Sequence, residues 1–226
     1  MTRRTTIFIG LTVAVGAIFL AAAFARESSF RDLVPFVCYF GLALFTSSLK
    51  VRLPGITGTI SVNFLFVLIS IAVFNFTETL VLAAMACVVQ CLWKARRRPR
   101  LIQVSFNVAA LIISAGIAHQ AAHALAGSEH SLLLMLTLAA CFYFTSNTLL
   151  VSGVLSLIEN KPLMQVWKQC YLYSFPYYLV GAVIAGLVVV CGQSMGWAVA
   201  MLILPVMYMV YTFYRICLDR LVPTTR

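Results

Sequence analysis

The fold is decided by residues 94–125, where the basic run KARRRPR at 94–100 is followed by LIQVSFNVAALIISAGIAHQAAHAL at 101–125. As an α-helix, this apolar stretch would be about 37 Å long, which exceeds the roughly 30 Å hydrocarbon core of a bilayer. Lysine and arginine concentrate in the cytoplasmic loops that flank transmembrane helices. The stretch therefore predicts a transmembrane helix that leaves the cytoplasm at Leu101.

The composition of the whole chain agrees with a membrane protein. Of 226 residues, 62% are hydrophobic and 10% are charged, whereas soluble domains are about 45–50% apolar and about 25% charged. The 16 Lys and Arg against 6 Asp and Glu give a net charge of +10. In so apolar a chain, a basic loop is explained by attraction to anionic lipid headgroups. We therefore expect the lipid bilayer as a partner, and no nucleic acid.

Eight apolar stretches, separated by charged or turn residues, predict an all-α, polytopic bundle of about eight transmembrane helices. They form one domain over residues 1–226 and cover about 7–25, 33–49, 59–74, 79–93, 101–125, 131–158, 174–191 and 197–214. The semi-polar segment 163–173 is predicted to lie in the membrane interface. Segment 52–59 holds one proline and two glycines, and is predicted to form a tight turn or a short re-entrant piece.

The distribution of basic residues predicts the orientation of these helices. If the N-terminus lies in the cytoplasm, 14 of the 16 Lys and Arg face the cytoplasm, and Arg26 and Arg31 are the two outside. Omitting one helix would invert every later loop and destroy this asymmetry. We therefore expect both termini in the cytoplasm.

Polar side chains inside the predicted spans are the candidate ligand-binding residues, because such groups usually face the interior of a bundle. Two interpretations stay open: hydrogen bonds between helices, worth about 0.6 kcal/mol each, or the lining of a pocket for a small ligand. No acidic or basic residue lies near the centre of a span, which disfavours an ion-driven pump. The candidates are Asn63, Ser105, Asn107, Thr145 and Asn147.

His119 and His123 are the candidate metal ligands. They lie four residues apart near the end of the fifth span, and therefore on one helix face. Two imidazoles at this spacing suit a transition metal, while polar groups reaching the membrane surface are the alternative. No cofactor is predicted. Because the paired-acid, Glu-Glu, Gly-rich and serine-nucleophile motifs of membrane enzymes are missing from the sequence, we expect no enzyme.

One part of the sequence resembles a bacterial family. The segment KVRLPGITGTISVNFLF at 50–66, with ETL at 78–80, VQCLW at 89–93 and FN at 106–107, is similar to the multi-span membrane modules that precede diguanylate cyclase or HD-type phosphohydrolase domains. The similarity covers roughly residues 40–110. It implies a multi-pass protein of the bacterial inner membrane that senses a signal and passes a conformational change to a cytoplasmic output domain.

The chain ends at Arg226, twelve residues after the last predicted span at 214, so that output domain would be a separate polypeptide, or the chain is a standalone relative or a fragment. In size and hydropathy the chain also resembles the small substrate-binding subunits of vitamin transporters. Our functional hypothesis is a non-enzymatic sensor that binds a small or lipidic ligand and signals to a cytoplasmic partner. The alternative is a small-molecule transporter, or a substrate-binding subunit that works with other transporter subunits.

Overall fold

A computed structural model describes residues 2–27, 32–47, 50–52, 59–61, 63–93, 99–126, 131–170 and 175–196. These residues form eight helices and one short hairpin. The elements in chain order are α1 (Arg3–Arg26), α2 (Leu33–Ser47), β1 (Lys50–Arg52), β2 (Thr59–Ser61), α3 (Phe64–Val73), α4 (Phe76–Leu92), α5 (Leu101–Leu125), α6 (Leu132–Glu159), α7 (Leu163–Cys170) and α8 (Phe175–Met195).

Helical architecture is confirmed, and four of the helices are long and apolar enough to cross a membrane: α1, α5, α6 and residues 175–194 of α8. Three further apolar helices, α2, α3 and α4, are shorter. The predicted eighth span at 197–214 lies outside the described residues. The predicted interfacial segment 163–173 contains the short helix α7.

The prediction of a third span at 59–74 was wrong at its beginning. Thr59–Ser61 form strand β2, which pairs antiparallel with β1 so that Lys50 lies opposite Ser61 and Arg52 opposite Thr59. Helix α3 begins only at Phe64. Apart from these six residues, the described elements are helical, as the all-α prediction requires. The segment between the strands, 53–58, lies outside the described residues.

Helix α4 begins at Phe76, three residues before its predicted start, because Asn75 caps it. The Asn75 side chain accepts a hydrogen bond from the Glu78 backbone N–H (2.8 Å), and the Glu78 carboxylate accepts one from the Asn75 N–H (3.0 Å). This reciprocal capping box satisfies two backbone donors that a helix start otherwise leaves open. Only Phe74 and Asn75 separate α3 from α4, so the two helices form a tight helical hairpin.

The core of the bundle is built around α3. Eight consecutive residues of this helix, from Phe64 to Ile71, are buried, so its whole circumference is covered by protein. The helices that pack against it are α8, α4, α6 and α5, with a smaller contribution from α2. Helix α1 lies at the periphery, where it contacts mainly α5, α4 and α6.

Small residues set the closest helix contact of α1. A Cβ atom added to Gly16 would lie 2.8 Å from the Cβ and 2.9 Å from the Cα of Ala109 in α5. Glycine is therefore needed at position 16 for the two backbones to approach. Such contacts between small residues are typical of helix packing in membranes.

Candidate functional site

A cavity of about 490 Å³ opens at one end of the bundle, and we call it the His119 cavity. It lies between the end of α1, the turn that joins α3 to α4, and the last two turns of α5. Its lining residues are Ala23, Arg26, Glu27, Ala72, Val73, Phe74, Asn75, Phe76, Thr77, His119, Gln120 and His123.

Thr77 attaches the end of α1 to the start of α4 and so forms one wall of the cavity. Its hydroxyl lies 2.9 Å from the Ala23 carbonyl oxygen and 2.9 Å from the Glu27 carbonyl oxygen, and it donates to them. The Ala23 carbonyl also accepts the Glu27 N–H that ends α1 (3.0 Å), whereas the Glu27 carbonyl lies past the helix end, where no further turn of the helix supplies a donor. A side chain of α4 therefore satisfies part of the open end of α1, and this holds Arg26 and Glu27 beside the cavity.

The two histidines of α5 are stacked against each other. Their ring centroids are 4.2 Å apart with an interplanar angle of 18°, and Phe76 meets the His119 ring edge-on at 5.3 Å. His123 Nδ1 lies 2.8 Å from the backbone oxygen of His119. Because a carbonyl oxygen only accepts, Nδ1 of His123 carries the hydrogen of this bond. The hydrogen bond and the stacking together fix the orientation of both rings.

His119 presents an unsatisfied polar atom. Its Nε2 is buried and has no hydrogen-bond partner among the residues that the structure describes. A buried polar group without a partner costs roughly 1–3 kcal/mol, and such an atom in a native protein requires an explanation. His119 lines the cavity with part of its ring, but its Nε2 has almost no accessible surface, so this nitrogen faces the surrounding protein rather than the open cavity.

The prediction that His119 and His123 bind a metal stays a prediction. Within the described part of the chain, no group of three or more His, Cys, Asp or Glu residues is placed to hold a metal ion. The nitrogen lone pairs of imidazole lie in the ring plane, and two nearly parallel stacked rings do not direct them to one point. A metal shared by the pair would require one ring to rotate out of the stack.

A second polar region lies at the other end of the same helices. Asn63 Nδ2 donates to Gln90 Oε1 in α4 (3.3 Å), and Asn107 Nδ2 in α5 lies 3.5 Å from the sulfur of the adjacent Cys91. Along α5, Asn107 and His119 are twelve residues apart, which corresponds to about 18 Å. We call this second region the amide network.

Helices α6, α7 and α8 complete the amide network. The Asn147 side chain forms a hydrogen bond with Tyr178 of α8, and the Tyr178 ring packs 4.8 Å from that of Phe64, the neighbour of Asn63. The next residue of α6, Thr148, accepts at its Oγ1 a hydrogen bond of 2.9 Å from Trp167 Nε1 in α7. Polar contacts therefore connect α3 to α4, α4 to α5, α6 to α8 and α6 to α7.

A comparison with protein-family models shows which family shares this architecture. The model of MASE9, a membrane-associated sensor family, matches residues 7–222. The chain belongs to the MASE9 family. No curated protein and no solved structure matches the chain. The sequence resemblance to membrane sensor modules is thus confirmed at the level of the sensor family, and the protein is membrane-associated.

In this MASE9 chain, the five predicted ligand-binding residues do not share one environment. Asn63 is buried and pairs with α4, Asn147 is half-buried and pairs with α8, and Asn107 is exposed beside Cys91. The side chains of Ser105 and Thr145 are exposed. Each of the three amides has a polar contact with a neighbouring helix, which agrees with the first of the two interpretations. A pocket at these residues stays a prediction.

Sequence reasoning did not identify several residues of the two regions. Gln90 is a polar residue in an apolar stretch, and the Asn75–Glu78 spacing is a readable capping signal, but the sequence analysis assigned a role to neither. Thr77 and Phe76 carried no local signal. Their importance comes from the position of α1 beside the α3–α4 turn, which is a tertiary property of the MASE9 bundle.

Proposed function

We propose that the chain is a non-enzymatic membrane sensor module that binds a small or lipidic ligand in its helix bundle and signals to a cytoplasmic partner. The MASE9 match over residues 7–222 carries this proposal, because it assigns almost the whole chain to a membrane-associated sensor family. In the proposal the helices cross the bacterial inner membrane, residues 197–214 form the last of about eight spans, and both termini lie in the cytoplasm.

The way α1 packs supports a position in lipid. Its buried residues form one stripe of mostly small or hydroxyl-bearing residues: Thr5, Ile9, Thr12, Gly16 and Ala23. Large apolar residues point outward instead: Ile7, Leu11, Val15, Ile18 and Phe24. A surface helix of a soluble protein has the opposite arrangement, whereas a helix in lipid places small residues at its contacts with other helices.

The charge distribution supports different roles for the His119 cavity and the amide network. With the N-terminus in the cytoplasm, the His119 cavity opens at the outer surface, and the amide network lies in the cytoplasmic half. Lys161 precedes α7 and Lys168 lies within it, beside the amide network. Both lysines are exposed. The cavity is then the place to detect a ligand, and the cytoplasmic surface around α7 is the place to contact the signalling partner.

Helix α5 offers a physical connection between the two regions. It carries His119 at the cavity and Asn107 at the amide network, and it packs along both α4 and α6. A ligand that binds one position of α5 better than another shifts the population toward that position. A shift of α5 would change the Asn107 contact with Cys91 and the packing of α6, on which the Trp167–Thr148 hydrogen bond depends.

Trp167 provides a native reporter for this proposal. The full chain, labelled with 5-fluorotryptophan and reconstituted in lipid vesicles, would be treated with fractions of a lipid and metabolite extract of the host cells. We expect one fraction to shift the ¹⁹F resonance of Trp167, assigned by its loss in Trp167→Phe, without accumulation of any extract component inside the vesicles. The matched control is Asn107→Ala, in which the shift should be smaller because the contact of α5 with Cys91 is lost.

Two outcomes would contradict the sensor proposal. If the chain alone accumulates an extract component inside the vesicles, it is a transporter. If no fraction moves the Trp167 resonance, the cavity and the amide network are not connected, and signalling through the bundle is excluded.

A further inference from the structure

The lining of the His119 cavity combines polar and apolar side chains. Seven of the lining residues are polar: Arg26, Glu27, Asn75, Thr77, His119, Gln120 and His123. The other five are apolar: Ala23, Ala72, Val73, Phe74 and Phe76. The volume of about 490 Å³ falls within the range of roughly 300–1,000 Å³ that is usual for small-molecule sites. The cavity therefore suits a small molecule that has a polar head and an apolar body.

Two opposite charges line the cavity without neutralising each other. Arg26 is the last residue of α1, Glu27 follows it as the C-cap, and both side chains are exposed. Side chains of adjacent residues do not face each other at a helix end. Among the residues that the structure describes, the ion pair is Lys161 with Glu159, so Arg26 and Glu27 pair neither with each other nor with another described residue. The cavity thus offers one positive and one negative group to a ligand.

The end of α1 adds to the attraction for a positively charged group. Beyond Ala23, the carbonyl groups of its last turn receive no donor from a further turn of the helix, and the C-terminal end of a helix carries partial negative charge. The Glu27 carboxylate belongs to the same helix end. An ammonium group is strongly attracted by a carboxylate and by open carbonyl groups, because it has three hydrogen-bond donors.

Arg26 provides the matching group for an anion. A guanidinium binds a carboxylate through two parallel hydrogen bonds, and the exposed amide of Gln120 in the same lining can also donate. A ligand with a single charge would be attracted by one member of the Arg26–Glu27 pair and repelled by the other. A ligand that carries both charges gains at both residues, so the lining favours a zwitterion.

The apolar part of the lining specifies the rest of the ligand. Phe74 and Phe76 both line the cavity, and the Phe76 ring already meets the His119 ring edge-on at 5.3 Å. Aromatic rings pack well in edge-on or offset-stacked arrangements against such surfaces. An apolar, and especially an aromatic, side chain on the zwitterion would therefore find matching partners.

We infer that the His119 cavity binds a free α-amino acid with an apolar side chain, its carboxylate at Arg26 and its ammonium group at Glu27. This inference deepens the proposed function and rests on it for the idea that binding has a consequence in the cytoplasm. A zwitterionic lipid headgroup, such as that of phosphatidylethanolamine, has the same pair of charges, and the test separates this source from the free amino acid.

The test uses the full chain in nanodiscs of phosphatidylglycerol and three probes that share one fluorophenyl body. They are 4-fluoro-L-phenylalanine, with both charges, 4-fluorophenethylamine, with the ammonium alone, and 3-(4-fluorophenyl)propionate, with the carboxylate alone. Broadening of the ¹⁹F resonance of each probe measures its binding, and protein-free nanodiscs give the background. We expect saturable binding of the amino acid, about tenfold tighter than that of either analogue, as for one added charge-assisted hydrogen bond.

Two variants should change the preference between the probes in opposite directions. Arg26→Gln should weaken binding of the amino acid about tenfold and leave the amine bound as tightly as before, or more tightly. Glu27→Gln should weaken the amino acid equally and spare the propionate. Loss of structure would weaken all three probes together, so this crossed pattern reports the site itself. Arg4→Gln, which removes an exposed arginine at the other end of α1, is the control and should leave all affinities unchanged.

The inference is overturned if no probe binds saturably, if either analogue binds as tightly as the amino acid, or if the two variants leave the preference between the probes unchanged. It is also overturned if phosphatidylethanolamine in the nanodiscs displaces the amino acid, because the lipid headgroup then occupies the cavity.

Failure of this inference can be distinguished from failure of the proposed function. If the amino acid binds but neither it nor any extract fraction moves the Trp167 resonance, the site exists and the sensor proposal fails. If an extract fraction moves the Trp167 resonance but the amino acid does not bind, the sensor proposal stands and the ligand class is wrong.

Discussion

Helices α3 and α1 are both strongly apolar, but they have opposite surroundings. Helix α3 has ten residues, eight of which are buried in an unbroken run. Helix α1 has 24 residues, and five of them are buried, along one stripe. Hydropathy alone does not distinguish a helix surrounded by protein from one surrounded by lipid, because both environments are apolar. Side-chain size does distinguish them, since α1 turns its small residues toward its neighbours.

The largest effect that tests this comparison is a leucine truncation in each helix. Leu68 of α3 is fully buried, whereas Leu11 of α1 is 62% exposed. Leu68→Ala leaves a cavity and should lower the free energy of unfolding by about 2–5 kcal/mol. Leu11→Ala should change it by less than about 0.5 kcal/mol, as expected for an outward-facing position. Unfolding in mixed detergent with increasing sodium dodecyl sulfate measures both, and equal losses would refute the difference in surroundings.

A glycine substitution shows whether α1 has a position that is packed as tightly as α3. Because the Ala109 backbone lies within 2.9 Å of a Cβ at position 16, Gly16→Ala must separate α1 from α5, at a cost of about 1–3 kcal/mol. Gly10, on the same helix, has no atom within 4 Å of its added Cβ. Gly10→Ala is therefore the control, and should be neutral or slightly stabilising because alanine favours the helix.

A Gly16→Ala variant as stable as the unmodified chain would mean that α1 is held loosely along its whole length. The contrast between the tightly packed α3 and the loosely packed α1 would then hold at position 16 as well.

A smaller effect is expected at the place where α1 is attached to the α3–α4 hairpin. Thr77→Val keeps the side-chain shape but removes the hydroxyl that bonds to the carbonyls of Ala23 and Glu27, and should cost about 1 kcal/mol. Thr137→Val is the control, because the Thr137 hydroxyl bonds within its own helix to Leu133 and is exposed. Hydrogen exchange of the last turn of α1 should accelerate in Thr77→Val alone. Equal acceleration in both variants would show that Thr77 does not attach α1.

Local signals in the sequence predicted the long helices well, since α1, α5, α6 and α8 each coincide with an apolar stretch that begins and ends within a few residues of the predicted bounds. The hairpin was missed because its pairing is not local. Ile60 continues the apolar pattern that leads into α3, and only the pairing with β1 assigns Thr59–Ser61 to a strand. Apolar β-branched residues fit both a strand and a buried helix.

The candidate site was predictable only where it depends on local spacing in the sequence. Helical spacing placed His119 and His123 on one face, and the structure brings their rings into contact. The spacing did not reveal that Nε2 of His119 would be buried without a partner, or that α1 would meet the α3–α4 turn at Thr77. Both depend on helices more than 40 residues apart in the chain, and no periodicity within one segment encodes them.

The short length of α3 has a consequence for how the protein is made. Ten helical residues extend about 15 Å, half of what is needed to cross the hydrocarbon core of about 30 Å. In the proposed membrane position, the translocon could not release α3 into the lipid as a separate transmembrane segment. The two-residue turn before α4 and the capping box at Asn75 and Glu78 instead suit insertion of α3 and α4 together, as one hairpin. The α3–α4 hairpin would therefore enter the membrane only after α4 has been synthesised.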